Sequence, residues 1–219
     1  MVAQNTISIT RRFSSRSKWS EVAKILAAGN DGYLSVGDVI TDKLKNGEEF
    51  SVEVVALNPY AQNTAAFVFK YLPERYMMND VATNRGGWKD SKMRRHLREE
   101  FFALLPDDLQ AVIKERTIKQ KLNGVVVTTL DKLWLLSRTE VFGGTYEPDV
   151  DDVQFEWFKK RAHRIKFFAE ELWYWWLRSP ASGSSSNFTG VTSVGNSGNT
   201  GAAGNGSGVA PASLSKSAI

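Results

Sequence analysis

The sequence predicts an α+β fold with mixed, mainly antiparallel short strands and two or more helices. Hydrophobic residues make up 42% of the 219 residues and include seven tryptophans, which is ample for a sizeable core. Segments with helical spacing of apolar residues stand between short strand-like segments along the chain. Helices interspersed among hairpin-like strand pairs are typical of the α+β class.

The first part of the chain predicts one edge strand, one helix and one strand pair. Alternating polar and apolar residues at 7–10 indicate the edge strand. Apolar residues with helical spacing at 19–26 indicate the helix, which the Gly-Asn pair at 29–30 would end. Two strand-like runs at 49–57 and 65–72 are joined by a turn-rich stretch, which is typical of a hairpin.

The middle of the chain predicts two helices. Asp90 or Ser91 can cap a helix with an apolar stripe over 93–104. Pro106 would break this helix, because proline cannot continue the hydrogen-bonding pattern. A second helix should cover 107–113, since its first two residues are acidic and favour a helix N-terminus.

The last part of the chain predicts strands around one further helix. Residues 124–129 have strand-like character, and 133–136 form a short buried run. An amphipathic segment over 153–168 predicts the helix. Short strands should follow the aromatic run at 173–176, because apolar residues recur there among polar ones. The apolar residues expected to face inward in these strands are Phe188, Val191, Val194 and Val209.

The charge balance argues against a nucleic-acid partner. The formal net charge is only +4, and much of the basic excess lies at 11–18 and 159–166. We interpret the second cluster as the solvated face of the predicted helix. We therefore expect no nucleic-acid partner.

Cysteine and targeting signals are both missing from the sequence. The absence of cysteine excludes disulfide bonds and thiol catalysis. The N-terminus lacks a basic region followed by an apolar run, and no apolar stretch reaches membrane-spanning length. We therefore expect no signal peptide and no membrane insertion. These features predict a cytoplasmic or virion-associated protein that is displayed at a surface only by a non-standard route.

Residues that could carry catalysis are few. The two histidines, His96 and His163, each lie in a basic stretch, and we interpret both as surface residues rather than ligands. No Gly-x-Ser-x-Gly motif marks a nucleophile elbow. We therefore expect a protein that is not an enzyme and needs no cofactor.

An acidic run at 147–152 is the one candidate metal site, because Ca²⁺ takes clustered carboxylates. Its acids are Glu147, Asp149, Asp151 and Asp152. The alternative is an exposed loop whose last acids favour the N-terminus of the following helix. We favour the loop and predict no metal, and the sequence leaves calcium binding open.

A long uncharged stretch near the C-terminus is the most informative feature. No charged residue lies between Arg178 and Lys216, and most residues there are Ser, Gly, Asn, Thr or Ala. A flexible linker would have such a composition. However, the aromatic run at 173–176 anchors the stretch to a folded body, because tryptophan-rich sequence resists solvation. We therefore predict an ordered polar surface over 181–208, where a binding function is sought first.

Several short motifs occur in a fixed order over roughly residues 48–213. The motifs are Asn79 with Thr83-Asn84-Arg85-Gly86-Gly87-Trp88, Ser91-Lys92-Met93-Arg94, Leu105-Pro106, Asp131-Lys132-Leu133-Trp134-Leu135-Leu136-Ser137 with Glu140-Val141, Trp176-Leu177-Arg178-Ser179-Pro180, and Gly208-Val209-Ala210-Pro211-Ala212. Together they resemble an uncharacterised domain family of gut bacteria and their phages, which overlaps the variable proteins of diversity-generating retroelements. Ala210 departs from the family pattern, which usually has Arg there. We interpret the Gly-Gly-Trp motif as a structural turn.

This resemblance implies a C-type-lectin-like fold whose last strands display a variable face. In such systems a retroelement rewrites adenines, so that Asn codons become codons for many residues but never Lys, Glu, Gln, Met or Trp. Residues 181–208 contain none of these five. We expect an N-terminal extension over 1–47, consisting of a basic segment and a helix packed on the body. The C-type-lectin-like domain would cover 48–219, with 181–208 as its variable segment.

The resulting functional prediction is a non-catalytic, receptor-like or adhesin-like protein with a diversified C-terminal surface. Its partner would be an unknown protein or glycan ligand on a cell or phage surface. Diversity is tolerated only at solvent-facing positions, because losing a buried aliphatic side chain costs more stability. The residues predicted to form the ligand-binding face are Ser184, Ser186, Asn187, Thr189, Thr192, Ser193, Asn196, Ser197, Asn199, Thr200, Asn205 and Ser207, with Trp173 and Tyr174 as neighbouring anchors.

Two alternatives stay open at this point. The chain could be a fixed phage or cell-surface structural module whose polar strands pack against another subunit, without diversification. It could also be an enzyme on a related fold, such as the sulfatase-modifying oxidases. The lack of cysteine argues against the second alternative, because the known chemistry of those enzymes uses thiols.

Overall fold

The computed structural model describes residues 18–216 and has the predicted α+β architecture. Within this range all strand pairs except one are antiparallel. The predicted edge strand at 7–10 lies outside the described residues. Of the helices in the described range, none is long and apolar enough to cross a membrane.

The described residues form short helices and many short strands. The helices are α1 (Lys18–Ala27), α2 (Lys92–His96), α3 (Phe102–Leu104), α4 (Asp107–Val112) and α5 (Arg138–Phe142), with a π-helical turn (Leu97–Phe101) and two 3₁₀ turns (Glu156–Lys159 and Arg161–Arg164). The strands are β1 (Val39–Lys43), β2 (Glu49–Leu57), β3 (Thr64–Phe69), β4 (Glu74–Met77), β5 (Ile113–Lys114), β6 (Arg116–Leu122), β7 (Val125–Asp131), β8 (Leu133–Trp134), β9 (Asp149–Val150), β10 (Lys166–Phe168), β11 (Glu171–Trp173), β12 (Trp175–Pro180), β13 (Asn187–Val191), β14 (Ser197–Ala202), β15 (Gly206–Val209) and β16 (Ala212–Lys216).

The largest sheet has the order β1-β2-β3-β16-β5, and β8 also pairs with β16. The predicted hairpin of β2 and β3 is confirmed. The last strand, β16, lies inside this sheet, between β3 on one side and β5 and β8 on the other. Ala210 and Ala212 are completely buried at its entrance. The uncharged stretch is therefore held at its C-terminal end by the interior of the protein.

Helix α1 packs on this sheet through the apolar face that its spacing predicts. Trp19 is fully buried, and its ring meets that of Phe67 edge-on at 5.8 Å between centroids. The indole Nε1 donates a hydrogen bond to Asp42 Oδ2 at 2.8 Å, which satisfies its polar atom. Asn30 follows the helix with a positive φ of 69°, as the predicted helix end requires. The domain boundary at 47/48 stays a prediction, and β1 joins the sheet before that boundary.

The middle helices follow the capping signals in the sequence. The Ser91 side chain accepts a hydrogen bond from the backbone N–H of Arg94, so Ser91 is the N-cap of α2. The helical path continues through the π-helical turn and α3, and Leu105 is already extended before Pro106. Helix α4 begins at Asp107, as predicted, but it is shorter, because Ile113 already belongs to β5.

The predicted helix over 153–168 is wrong. Two 3₁₀ turns and strand β10 occupy that segment, and Lys160 between the turns is extended. Phe155 and Phe158 are both buried, and the 3₁₀ turn brings them to the same side. Their separation of three residues is what resembled helical spacing. The interpretation of the basic cluster as a solvated helix face is also wrong for Lys166. This lysine is buried and donates to the carbonyl of Phe69 at 2.5 Å.

A three-stranded sheet with the order β7-β6-β9 was only partly predicted. Strand β7 matches the strand-like run at 124–129, whereas β6 was missed. The inward positions of β6 include Arg116 and Gln120, both buried. Because polar residues stand where apolar ones signal a strand, β6 lacks the usual alternating pattern.

Candidate functional site

The uncharged stretch forms most of a five-stranded sheet with the order β14-β13-β12-β15-β4. Its central strand, β12, is buried along its whole length and includes Trp175 and Trp176. The apolar residues Phe188, Val191 and Val209 of the neighbouring strands are fully buried, as predicted. The prediction that this stretch is ordered is therefore confirmed for the part that the structure describes.

Strands β12 and β15 form the one parallel pair, and a glycine makes their contact possible. The backbone N–H of Gly208 donates to the carbonyl of Tyr174 at 3.0 Å. A Cβ at position 208 would lie 2.4 Å from Leu72 Cδ1 and 2.8 Å from the oxygen of Tyr174. Any side chain at Gly208 would therefore push β15 away from the core.

A buried ionic network lies directly behind β12. Glu140 pairs with Arg116 and Arg178, each at 2.5 Å, and Asp152 pairs with the same two arginines at 2.6 and 2.5 Å. Tyr60 donates its hydroxyl to Glu140 Oε1 at 2.6 Å. All four charged side chains are at most 5% exposed. We call Arg116, Glu140, Asp152 and Arg178 the ionic network.

The electrostatics of the network keep Glu140 ionised. Burial alone would raise the pKa of Glu140, but the charges of Arg116 and Arg178 outweigh it and hold the pKa well below its ordinary value. Burial and the neighbouring carboxylate together raise the pKa of Tyr60, so that its phenol stays a hydrogen-bond donor. Burying charges costs desolvation energy, and the pairing of each carboxylate with two arginines offsets that cost.

The network fixes the point at which the uncharged stretch leaves the core. Arg178 Nη1 donates to the carbonyl of Leu135 at 3.0 Å, and the backbone N–H of Arg178 donates to Leu136 at 2.9 Å. Ser179 continues this anchoring, because its hydroxyl donates to Asp149 Oδ1 at 2.5 Å. The position of residue 180 is thus set by groups that lie outside the 181–208 segment.

The acidic run is not the exposed loop that the sequence predicted. Asp149 and Asp152 point into the protein toward Ser179 and the arginines, and up to residue 216 they are followed by 3₁₀ turns and strands rather than by an α-helix. Burial raises the pKa of Asp149, which the charge of Arg178 partly offsets. The carboxylates of Glu147 and Asp151 are exposed and pair with Lys121 and Lys119. Two acids of the run therefore pair inside the protein and two pair at the surface. Residues 18–216 contain no cluster able to hold a metal ion.

Scaffold side chains hold the segment after β12 by its backbone. Tyr146 donates its hydroxyl to the carbonyl of Pro180 at 2.8 Å and accepts the N–H of Ser182 at 2.7 Å. Both contacts use main-chain atoms of the segment. The exposed side chain of Ser182 is therefore not needed for the loop to keep its shape.

Asn84 makes a second set of contacts of the same kind. Its side-chain amide donates to the carbonyls of Ser184 at 2.6 Å and Asn187 at 2.9 Å. Its backbone N–H donates to the carbonyl of Ser185 at 2.9 Å. The Gly-Gly-Trp turn that carries Asn84 is itself fixed, because Trp88 Nε1 donates to the buried Asp131 at 3.0 Å.

The predicted face residues differ in their exposure and in their contacts. Asn196, Ser197 and Asn205 are exposed, and Ser186, Asn187 and Ser193 are half-buried at the surface. Ser184 and Thr192 are half-buried with structural roles, since their hydroxyls accept backbone N–H groups of the following turn. Asn199 and Thr200 belong to β14, and the description of the structure does not extend to their side chains.

Two predicted face residues point inward instead. Thr189 and Ser207 are only 3% and 5% exposed. Thr189 donates its hydroxyl to the carbonyl of Ser179, and Ser207 donates to that of Tyr174, both at 3.0 Å. The prediction that they face solvent is wrong, because their hydroxyls bind main-chain oxygens inside the protein. Val194 shows the reverse error, because it was predicted to be buried and is half exposed in a turn.

The two predicted anchors differ in exposure. Tyr174 is 49% exposed, whereas Trp173 is half-buried, with the guanidinium of Arg75 4.5 Å above its ring. Phe167 and Leu172 of the adjacent hairpin are paired and also exposed. Tyr174 is thus the accessible aromatic residue next to the end of β15.

The histidines are also less exposed than predicted. His96 is 8% exposed and lies between Glu74 at 2.6 Å and Glu100 at 2.9 Å, stacked on the ring of Tyr76. Burial opposes ionisation, but hydrogen bonds and charges of the two glutamates outweigh it and raise the pKa of His96. His163 is half-buried and stacked on Trp157. Both rings have structural partners, so the surface interpretation is wrong for His96.

A polar cleft of about 710 Å³ borders the segment and was not predicted from the sequence. Its walls are the loop at 83–86, the turn at 121–124, residues 147–148 and the start of the segment at 180–185. These parts are up to about a hundred residues apart in the chain, so no sequence window contains the cleft. Arg85 of the Gly-Gly-Trp turn is exposed on its wall.

Comparison with known proteins gives one match. The family model described as "Domain of unknown function (DUF6273)" matches residues 62–215, which include the ionic network, the cleft and the uncharged segment. Neither the curated proteins nor the solved structures contain a significant match. The C-type-lectin-like fold and the retroelement therefore stay predictions.

Proposed function

The chain belongs to the DUF6273 family, and we propose that this member is a non-catalytic ligand-binding protein. Its recognition face would be the surface of the 181–208 segment together with Tyr174. In this proposal the fold is C-type-lectin-like, and a retroelement diversifies the exposed positions of the segment. The partner would be a protein or glycan on a cell or phage surface.

The main support is the way the segment is held. Asn84 and Tyr146 bind its main-chain atoms, and β16 anchors its far end inside the large sheet. A loop that is fixed through its backbone keeps its shape when exposed side chains change. Such substitutions cost no more than about 0.5 kcal/mol each when the side chain makes no essential contact.

The arrangement also supports a binding role without catalysis. The buried carboxylates of Glu140 and Asp152 are each paired with two arginines, and His96 is held between two glutamates. None of these groups is free to transfer a proton to a ligand at the face.

The codon argument for diversification applies unchanged, because residues 181–208 lack the five residues that Asn-codon rewriting cannot produce.

The present face is chemically modest. Tight interfaces depend on Trp, Tyr and Arg, and within 181–208 the single aromatic residue, Phe188, is fully buried. Neutral hydrogen bonds from Ser, Thr and Asn add about 0.5–1.5 kcal/mol each. We therefore propose that this variant binds weakly unless Trp173 and Tyr174 supply the anchor. An affinity for a natural ligand that is tighter than the micromolar range and is unaffected by Trp173→Ala and Tyr174→Ala would contradict this part of the proposal.

Sequencing of the 3′ end of the gene across a population of the source tests diversification. We expect substitutions at adenine positions of codons for exposed residues such as Ser197 and Asn205, with unchanged codons for 173–180. The codons for Thr189 and Ser207 should vary less, because these side chains are buried. An invariant 3′ end would leave a fixed interaction module as the better explanation.

A further inference from the structure

The cleft beside the segment has the size and the mixed lining of a small-molecule site. Its volume of about 710 Å³ lies within the range of about 300–1,000 Å³ typical of small-molecule sites. Polar and apolar atoms contribute similar shares of the wall surface, and no aromatic side chain is among the residues that line it. A ligand that combines hydroxyl groups with small apolar parts suits this mixed lining better than a purely aliphatic or aromatic one.

The positive and negative charges on the cleft walls do not balance. Glu147, the one acidic residue of the lining, lies 3.1 Å from the ammonium of Lys121. The guanidinium of Arg85 is exposed and has no ion-pair partner among residues 18–216. Only the backbone N–H of Arg85 is engaged, at 3.2 Å from the hydroxyl of Thr83. One positive charge on the cleft wall is therefore uncompensated.

The backbone that carries Arg85 is fixed on both sides. Asn84 binds the opposite wall through the carbonyls of Ser184 and Asn187. The next residue, Gly86, has a φ of 81°, and a Cβ there would lie 2.5 Å from Asp90 Oδ2. The arginine is therefore presented from a rigid turn, which lowers the entropy lost when a ligand binds.

We infer that this cleft binds an acidic saccharide, with Arg85 as the anchor for its carboxylate. A planar guanidinium accommodates a carboxylate through two parallel hydrogen bonds. The sugar hydroxyls would contact Ser182 and Ser185, whose side chains are exposed at the cleft. The inference rests on the proposed binding function. In it, Arg85 is a constant cation, and the wall formed by the 181–208 segment is the part that varies.

Calorimetric titration with matched sugars tests the inference. The probes are trigalacturonate against galactotriose and 3′-sialyllactose against lactose, since each acidic probe has a neutral counterpart. We expect the whole chain to bind at least one acidic probe about tenfold or more tightly than its counterpart, the effect of one charge-assisted contact. Arg85→Gln should abolish this preference without changing the thermal unfolding midpoint.

Arg95→Gln is the control, because it removes the same charge from an exposed arginine that does not line the cleft. It should leave the preference intact. Equal binding of acidic and neutral sugars, no binding of either acidic probe, or a preference that survives Arg85→Gln would overturn the inference. The proposed function fails separately, through an invariant 3′ gene end and no binding of the protein to whole cells or phage particles.

Discussion

The ionic network and the 181–208 segment place polar groups in opposite ways. Charged side chains usually lie at the surface, yet here the side chains of Arg116, Glu140, Asp152 and Arg178 are buried. The surface segment beside them carries no charge at all. The difference indicates a division of roles, in which buried charges fix the strands and neutral side chains cover an adjustable face.

Removing one charge from the network should give the largest effect. Glu140→Gln leaves two buried arginines with one carboxylate, which should lower the free energy of unfolding by about 3–5 kcal/mol. Urea denaturation followed by circular dichroism measures this change. Glu156→Gln, which removes a carboxylate from the exposed pair with Lys159, is the matched control and should cost at most about 0.5 kcal/mol. Similar losses in both variants would show that the buried network has no special structural role.

A smaller effect is expected where the segment touches the scaffold. Thr189→Ala removes a buried hydroxyl that donates to Ser179, so the free energy of unfolding should fall by about 1–2 kcal/mol. Ser197→Ala, at an exposed position of the same segment, should change it by less than about 0.5 kcal/mol. The two variants compare buried and exposed positions within one stretch. If Thr189→Ala left the free energy of unfolding unchanged, this position would be as free to vary as the exposed ones.

The dependence of stability on pH should come from the scaffold alone, because the segment has no ionisable side chain. The raised pKa of His96 means that its contribution is fully present below the unfolded-state pKa, near 6.5, and is lost as the pH rises through the folded-state pKa. Wild-type protein should therefore lose more stability than His96→Gln between about pH 5.5 and 8.5. Urea titrations across this interval give the comparison, and parallel curves would count against the ion pairs of His96.

The smallest effect is expected at the adjustable face itself. Ser197→Tyr and Asn205→Tyr, made separately, should each keep the free energy of unfolding within about 0.5 kcal/mol of wild type. Thermal and urea unfolding are the measurements. A loss of more than about 1 kcal/mol at both positions would remove the distinction between scaffold and face.

Much of the fold could be predicted where local chemistry decides the structure. Ser91 caps a helix because its hydroxyl binds a nearby backbone N–H, and Pro106 ends one because it lacks a donor. The prediction of a helix over 153–168 failed because Phe155 and Phe158 have helical spacing within a single turn. Spacing over so few residues does not distinguish a 3₁₀ turn from a helix.

The candidate site was harder to predict because its parts meet only in the folded chain. The uncharged segment was identified by its composition and by the aromatic run before it. Nothing in the sequence indicated that Asn84 would bind carbonyls a hundred residues away, at Ser184. The inward orientation of Thr189 was also hidden, because a hydroxyl can satisfy either water or a buried carbonyl.

The sequence by itself determined the fold class, the hairpin of β2 and β3, the start of α2 and α4, and the absence of charge from 181–208. These depend on residue type and short-range spacing, which any window of the chain contains. Only the tertiary structure decided that Asp149 and Asp152 turn inward, that Arg85 lies at a cleft with no ion-pair partner among the described residues, and which polar residues face solvent. Those outcomes depend on which charges and main-chain atoms meet across long distances in sequence, because burial and pairing are properties of the packed chain.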